Sequence, residues 1–543
     1  MTGFRLPIAL VLFLVLPVAS NAAPQQEPSQ QEPSQQEPSQ QEPASEDLLA
    51  QKRKLSLAMT NRINELIRNQ WQELEITPAE TTDDSEFLRR VYLDLTGVVP
   101  AVYETRKFLK DATPDKRREL IRRLLDSPNH ATHMAATWRR VMVPGGFDAA
   151  QAASAAGLQG WLRKQFAANF RYDRIVSEFL VATGPTDEGP TLFYTAQEVK
   201  PEKLADSTAR IFLGVQIGCA QCHDHPDGRW TQDDFWNYAA FFARLEQPPA
   251  ENSNVTRIIE NTSGELQVPD SERIAKPKYP GGKNADASSL RTRREQLALW
   301  VASRENPYLP VAAVNWSWSH LFGRGLVDPV DDIGPHNPAS HPELLNELAE
   351  YFVRSGYDLR LLMETIANSE AYQQSSRYEQ GTRPDEASFA VMGVKSMTAE
   401  QLYDSLQTIL ARRRLSRTAA TARERFIDPQ RQMFIAKLGA QSRSALEFNA
   451  GLPQALMLMN GLEIEAATNV EQSSLLIALT APFFSDSQRL ETIFLAAVSR
   501  APRAEETEEI LMVLGETPEE DRQEVLGDIL WALLNSSEFA LNH

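Results

Sequence analysis

Three observations predict a mainly α-helical protein. Helix-start signals punctuate the chain at Thr77-Pro78-Ala79-Glu80, Thr113-Pro114-Asp115, Thr398-Ala399-Glu400-Gln401 and Thr517-Pro518-Glu519, each a capping hydroxyl ahead of a proline, an acid or an amide. Between them apolar residues recur at three and four, as in Phe87, Val91 and Leu95, or Ile121, Leu124 and Leu125. Alternating β-branched runs are scarce. The expected arrangement is two helical domains, residues 46–246 and 290–543, joined by a polar, partly extended connector at 247–289. A signal peptide and a disordered spacer precede them.

The leader comes first. Arg5 supplies a positive end, Leu6–Val18 an apolar run, and Ser20-Asn21-Ala22-Ala23 the small residues that suit cleavage, so residues 1–23 predict export to the periplasm or cell surface. The run is shorter than the roughly 20 residues that span a bilayer, and no later stretch spans one either. Residues 24–45 repeat QQEPS with no large apolar residue. Such a segment has nothing to bury and is expected to stay extended.

The composition then limits the partners. Among 543 residues, 55 Lys and Arg face 73 Asp and Glu, a net charge of −18. A chain this acidic lacks the clustered cations that a nucleic-acid backbone requires. Its 2 cysteines exclude a disulfide-rich scaffold. The connector is marked by QPPAENSN and KPKYPGGKNADASS, with only Val255–Ile259 and Leu266–Val268 reading as extended pieces.

Both cysteines lie in Cys219-Ala220-Gln221-Cys222-His223, the attachment pattern of a c-type haem. Two residues between the thiols bring both sulfurs to one edge of a porphyrin, and the next residue, His223, is then directed at the iron as proximal ligand. Chance gives this motif a frequency on the order of 5 × 10⁻⁵, so composition alone does not account for it. The flanking residues predict amphipathic helices, with Leu204, Thr208, Ile211, Phe212 and Val215 on one stripe before the motif and a Thr231-capped helix after it. Two other chemistries stay open. Cys219, Cys222, His223 and His225 could hold zinc or another transition metal, in a binding or hydrolytic site. A Cys219–Cys222 disulfide in a structural or binding protein is the other.

Longer stretches carry a resemblance. FLRRVYLDLTGVVP (Phe87–Pro100), LGVQIGCAQCHDHPDGRW (Leu213–Trp230) and the run from Asn315 to Ser376 resemble the exported planctomycete family of two domains of unknown function, the first named for its association with cytochromes c. MTAEQLYDSL (Met397–Leu406) and LPQALMLMNG (Leu452–Gly461) are similar to the second domain. The family has no established activity, and the resemblance implies only a shared C-x-x-C-H-D-H-P run, here Cys219, Cys222, His223, Asp224, His225 and Pro226. Relatives follow it with Phe-Asp-Lys-Trp where this chain has Asp227-Gly228-Arg229-Trp230. Many also carry a separate cytochrome-like domain upstream, in the place of the QQEPS spacer.

The candidates for a distal iron ligand are a methionine or one of the remaining histidines: His130 and His133, three apart on one helical face, and His320, His336 and His341 in or beside the turn-rich island Gly323–Pro342. His336 is the favoured one, because the island that holds it is turn-rich; a ligand from there would make the haem a joint between the domains and suit electron transfer to an extracytoplasmic redox partner. His225, two residues beyond His223, is placed too close to reach the opposite iron face. His543 is expected to be disordered. Asp328, Asp331 and Asp332 read as turn-shaping residues that lack the EF-hand spacing. No nucleophile elbow, phosphate-binding glycine loop or H-E-x-x-H is present, so no catalytic residue is assigned.

Overall fold

The computed structural model describes residues 42–143, 149–225, 228–249, 256–410, 426–438 and 461–543. The signal peptide, nearly all of the spacer, Pro226 and most of LPQALMLMNG lie outside them. Helix α1 (Glu42–Glu73) begins within the last residues of the predicted spacer.

Helix α2 (Asp84–Thr96) organises the fold. Asp83 starts it by accepting the amides of Ser85 and Glu86, and Gly97, at φ 70°, ends it in the left-handed conformation that glycine adopts without a Cβ clash. Almost every residue of α2 is buried. Phe87, Val91 and Leu95 enter a large apolar core with Ile121, Leu124 and Leu125 of α4 (Lys116–Leu125); α3 (Val102–Lys110) lies between them in sequence. Leu93 and Val99 enter a second core with Leu402, Leu406, Leu490, Ile493 and Leu530. The three-and-four spacing therefore marks one buried face correctly, while the opposite face of α2 is buried as well.

Helices α5 (Pro128–Met142), α6 (Ala149–Ala167), α7 (Tyr172–Leu180), α8 (Thr191–Ala196) and α9 (Pro201–Thr208) complete the part of the chain before the motif. After it come α10 (Gln232–Ala239), α11 (Arg293–Val301), α12 (Tyr308–Phe322), α13 (Pro342–Arg354), α14 (Leu359–Ala367) and α15 (Ala399–Ile409). Trp318, Phe352, Leu362 and Ile366 share the large core with α2 and α4, so it draws on residues from both sides of the connector. Helices Asp486–Ala497 and Arg522–Leu534 build the second core.

The connector contains the main strands. In the antiparallel order β1-β3-β2, β3 (Arg257–Glu260) pairs with β1 (Gly184–Pro185) and β2 (Leu245–Glu246). β4 (Leu266–Gln267) pairs with β5 (Ile274–Ala275), and β6 (Lys395–Ser396) with β7 (Leu541–Asn542). The extended pieces expected around 255–259 and 266–268 are present within the described residues, and Ile258, Val268 and Ala275 each bury an apolar side chain.

Three helix starts differ from expectation, and after Thr113-Pro114-Asp115 the helix begins only at Lys116, with no side-chain cap. Thr77-Pro78-Ala79-Glu80 does not open a helix: the Ala79 amide donates to Ala390 O at 2.8 Å and Thr82 to Gln373 O at 2.9 Å, so pairing with a distant segment replaces the local cap. The helix predicted after Thr517-Pro518-Glu519 starts at Arg522, once a turn from Asp521 N to Pro518 O has closed. The box at Thr398 forms as predicted, with Gln401 reaching back to its amide. His543 is half-buried rather than disordered, and burial lowers its pKa to about 4.

Candidate functional site

The motif follows an abrupt end to α9. After Thr208 the helix widens into a π-turn (Ala209–Leu213), and Gly214 at φ 67° stops it. Leu204, Thr208, Ile211, Phe212 and Val215 are all buried, as their stripe predicts. Gly218–Gln221 then winds into a 3₁₀ turn, which carries Cys219 and leads into Cys222. Asp206 caps this turn. The Gly218 amide donates to its carboxylate, and a Cβ on Gly218 would meet Asp206 Oδ1 at 2.4 Å, so this approach needs glycine. Burial, with Asp331 nearby, pushes the Asp206 carboxyl above the usual range despite the neighbouring Arg210.

The far side of the motif is held by α10. Thr231 and Asp234 form a capping box, and the Gln232 amide donates to Asp224 Oδ1 at 2.8 Å. The Gln232 side chain donates to the carbonyls of Gln221 and Cys222, and Trp236 Nε1 donates to Gln221 O at 3.0 Å. Both cysteines are exposed free thiols, and His223 is exposed. His223 Nδ1 lies 2.7 Å from Asp224 O. A carbonyl oxygen only accepts, so Nδ1 carries the proton and Nε2 of the neutral ring keeps its lone pair.

The island Gly323–Pro342 packs on this loop. Asp331 accepts from Arg210 Nε at 2.8 Å and from Gln216 at 3.2 Å; the Ile333 amide donates to Gly214 O at 2.7 Å, and Arg229 donates to Ile333 O at 2.9 Å. Gly334 lies beneath the Arg229 guanidinium. His336 donates from Nε2 to Asp332 Oδ1 at 2.9 Å, and its ring centroid is 6.2 Å from that of His225. Asp331 and Asp332 thus serve as partners for an arginine and a histidine. Among the described residues, no group of three or more His, Cys, Asp or Glu is arranged to hold a metal ion.

The other histidines fall elsewhere. His130 Nδ1 donates to Leu95 O at 2.9 Å and His320 Nε2 to Asp94 O at 2.7 Å, both at the end of α2. The His133 ring lies 5.4 Å from that of His320, tilted by 49°. His341 packs against Phe389. Burial lowers the pKa of all four, to about 3 for His130 and about 4 for His341.

Sequence reasoning found the motif but not the lash around it. Asp206, Arg210, Gly214 and Arg229 carry no motif signal; the turn-rich composition of the island was the one hint. Gly214 makes the lash testable. An added Cβ would meet Ile333 Cδ1 at 2.7 Å and Ala312 Cβ at 3.2 Å, at a φ that side chains avoid. Gly214→Ala is expected to cost about 1–3 kcal/mol in urea unfolding, and an unchanged midpoint would refute the close packing.

Comparison with known proteins places two domains on this framework. Residues 62–247, which include the motif, match the family PSCyt2, described as a protein of unknown function (DUF1549). Residues 293–447 match PSD1, a protein of unknown function (DUF1553). No curated protein and no solved structure matches the chain. Among the described residues, no helix is long and apolar enough to cross a membrane.

Proposed function

The chain belongs to the two-domain family in which DUF1549 precedes DUF1553, and from that premise we propose an exported protein with a covalent c-type haem on Cys219 and Cys222, acting in extracytoplasmic electron transfer or haem redox chemistry. The observation that carries the reading is the donor set. Two solvent-exposed thiols sit across one 3₁₀ turn, followed at once by an imidazole whose Nε2 lone pair is fixed by the bond from Nδ1 to Asp224 O. That is the tautomer an iron ligand requires.

The protein's own residues have separable parts in this reading. Cys219 and Cys222 supply the thioether sulfurs and His223 the proximal nitrogen. Asp206 and Gln232 hold the two ends of the turn, and Asp224 both orients His223 through its carbonyl and caps α10 through its carboxylate. Bound haem supplies one-electron chemistry. His336 has Nε2–H engaged with Asp332, so it would reach iron through Nδ1 or after that pair opened. Export rests on the charge, apolar run and small residues of positions 1–23.

The test is an absorbance scan with a metal assay, on full-length protein produced alongside cytochrome c maturation factors. A Soret band that survives denaturation in wild type and is lost in Cys219→Ser/Cys222→Ser is expected. Bound metal without that band would replace haem with a metal site using Cys219, Cys222, His223 and His225. Neither signal would leave the disulfide reading. If haem is present, a low-spin spectrum turning high-spin in His336→Ala would assign the distal ligand.

A further inference from the structure

A second group of reactive side chains lies away from the motif, where the second core meets the end of α2. Asp94, Lys395 and Asn542 are respectively 3%, 4% and 3% exposed. Lys395 on β6 and Asn542 on β7 are paired directly across the antiparallel ladder, which places their Cβ atoms about 4.5–5.5 Å apart. Asp94 reaches between them from α2. A single atom, Asp94 Oδ1, accepts from Lys395 Nζ at 2.5 Å and from Asn542 Nδ2 at 2.6 Å. Asp94 Oδ2 accepts from Tyr372 Oη at 2.7 Å, which fixes the carboxylate plane. Asn542 Oδ1 is buried with no hydrogen-bond partner. Tyr372 in turn packs against Phe322, with the Arg90 guanidinium over its ring.

An ordinary buried ion pair, with Leu321 O also accepting from Nζ at 2.6 Å, accounts for Lys395 and Asp94. It does not account for a primary carboxamide brought to the same oxygen, opposite the amine, with its carbonyl unsatisfied. We propose that Lys395 and Asn542 become joined by an intramolecular isopeptide bond, with Asp94 moving the protons and ammonia leaving. The ammonium of Lys395 first gives a proton to Asp94. The freed lone pair attacks Cγ of Asn542, and the carbonyl π pair moves to Oδ1. The new N–C bond leaves Nζ with a surplus proton, which is lost by way of the Asp94 carboxyl as that group passes one to Nδ2. The Oδ1 pair then restores the carbonyl, the Cγ–Nδ2 bond breaks, and NH₃ departs. An amine and a carboxamide become a secondary amide and ammonia, with no oxidant or co-reactant. One oxygen touching both the nucleophile and the leaving group is what such a shuttle requires. Burial also lowers the Lys395 pKa, which favours the neutral amine. The bond would fasten β6 to β7 covalently and would leave the motif's chemistry untouched.

The test is a tryptic digest of full-length protein carrying no tag after His543, read by tandem mass spectrometry. The expected product is a branched peptide in which Lys395 is linked to Asn542, lighter than its two linear parts by about 17 Da, one ammonia, with no cleavage after Lys395. Two linear peptides, one ending at Lys395, would overturn the proposal, and this wild-type result stands whatever the variants do. Asp94→Asn keeps both reacting groups but removes the shuttle, so only linear peptides are expected from it. A branched peptide at wild-type yield in Asp94→Asn would remove Asp94 from the step.

Discussion

Lowering the pH from 7 to 5 is expected to remove about 6 kcal/mol of folding stability, enough to unfold a domain of ordinary stability. The cause is a set of imidazoles buried in the neutral form. An unfolded histidine takes up a proton near pH 6.5, whereas folded His130 does so only near 3, and His341 and His543 only near 4. Below about pH 6.5 the unfolded chain therefore binds more protons than the folded one. Each group then weakens the fold by about 1.4 kcal/mol per pH unit until its folded pKa is reached, and three groups over about 1.5 units give the total. The stability is fully present above pH 6.5. His133 and His320, also lowered, add to the loss. The charged neighbours of His320 are Asp94, which favours the proton, and Lys395 and Arg140, which oppose it; Arg360 faces His130, and Arg140 faces His133 across from Asp404. The paired carboxylates Glu86 and Glu400 are held below the usual range and begin to titrate only at lower pH. Urea unfolding at pH 7, 6 and 5 checks this, and a midpoint unchanged across that range would refute it. His130→Gln/His133→Gln should flatten the pH dependence even if it lowers stability at pH 7.

The same histidines show what the sequence could and could not reveal. His130 and His133 are three apart on α5, and that spacing correctly placed them on one face. Nothing local indicated that His320, far along the chain, would lie against His133, or that α2 would offer Asp94 O and Leu95 O as acceptors. Helix starts were legible where the cap is satisfied locally, as at Thr398 and Thr231. The start at Thr77 failed because Ala79 and Thr82 find backbone partners around Gln373 and Ala390, and tertiary pairing outweighs local preference. The connector was read from its Pro, Gly and Asn content, which describes its turns but not the burial of Ile258, Val268 and Ala275. At the candidate site, the cysteines and His223 were evident because their spacing matches a known attachment pattern. Asp206, Arg210 and Arg229 were not, because a side chain that orients a loop from outside leaves no spacing rule behind.

Arg294→Met is expected to cost about 3–5 kcal/mol, the second large effect, because it breaks a buried ion pair from one side. Arg294 opens α11 with its side chain fully buried, an arrangement that only paired charge tolerates. Its Nη2 meets Glu260 Oε2 at 2.8 Å, and Nη1 donates to Leu180 O and Ala182 O at 3.0 Å each and to Tyr194 Oη at 3.3 Å. One guanidinium thus ties the end of α7, the helix α8 and strand β3 to α11. Methionine fills much of the volume but leaves Glu260 charged and unpartnered, with two carbonyls that have lost a donor. The partner's contribution can be separated. Removing the stranded charge in Arg294→Met/Glu260→Met should recover at least about 1 kcal/mol relative to Arg294→Met alone, because an apolar pair avoids the uncompensated carboxylate. Denaturant unfolding of the two single variants and the double variant measures this directly. A loss under about 1 kcal/mol in Arg294→Met would mean that Arg294 does not secure β3. A double variant no better than Arg294→Met would locate the cost in the orphaned carbonyls of Leu180 and Ala182, rather than in Glu260.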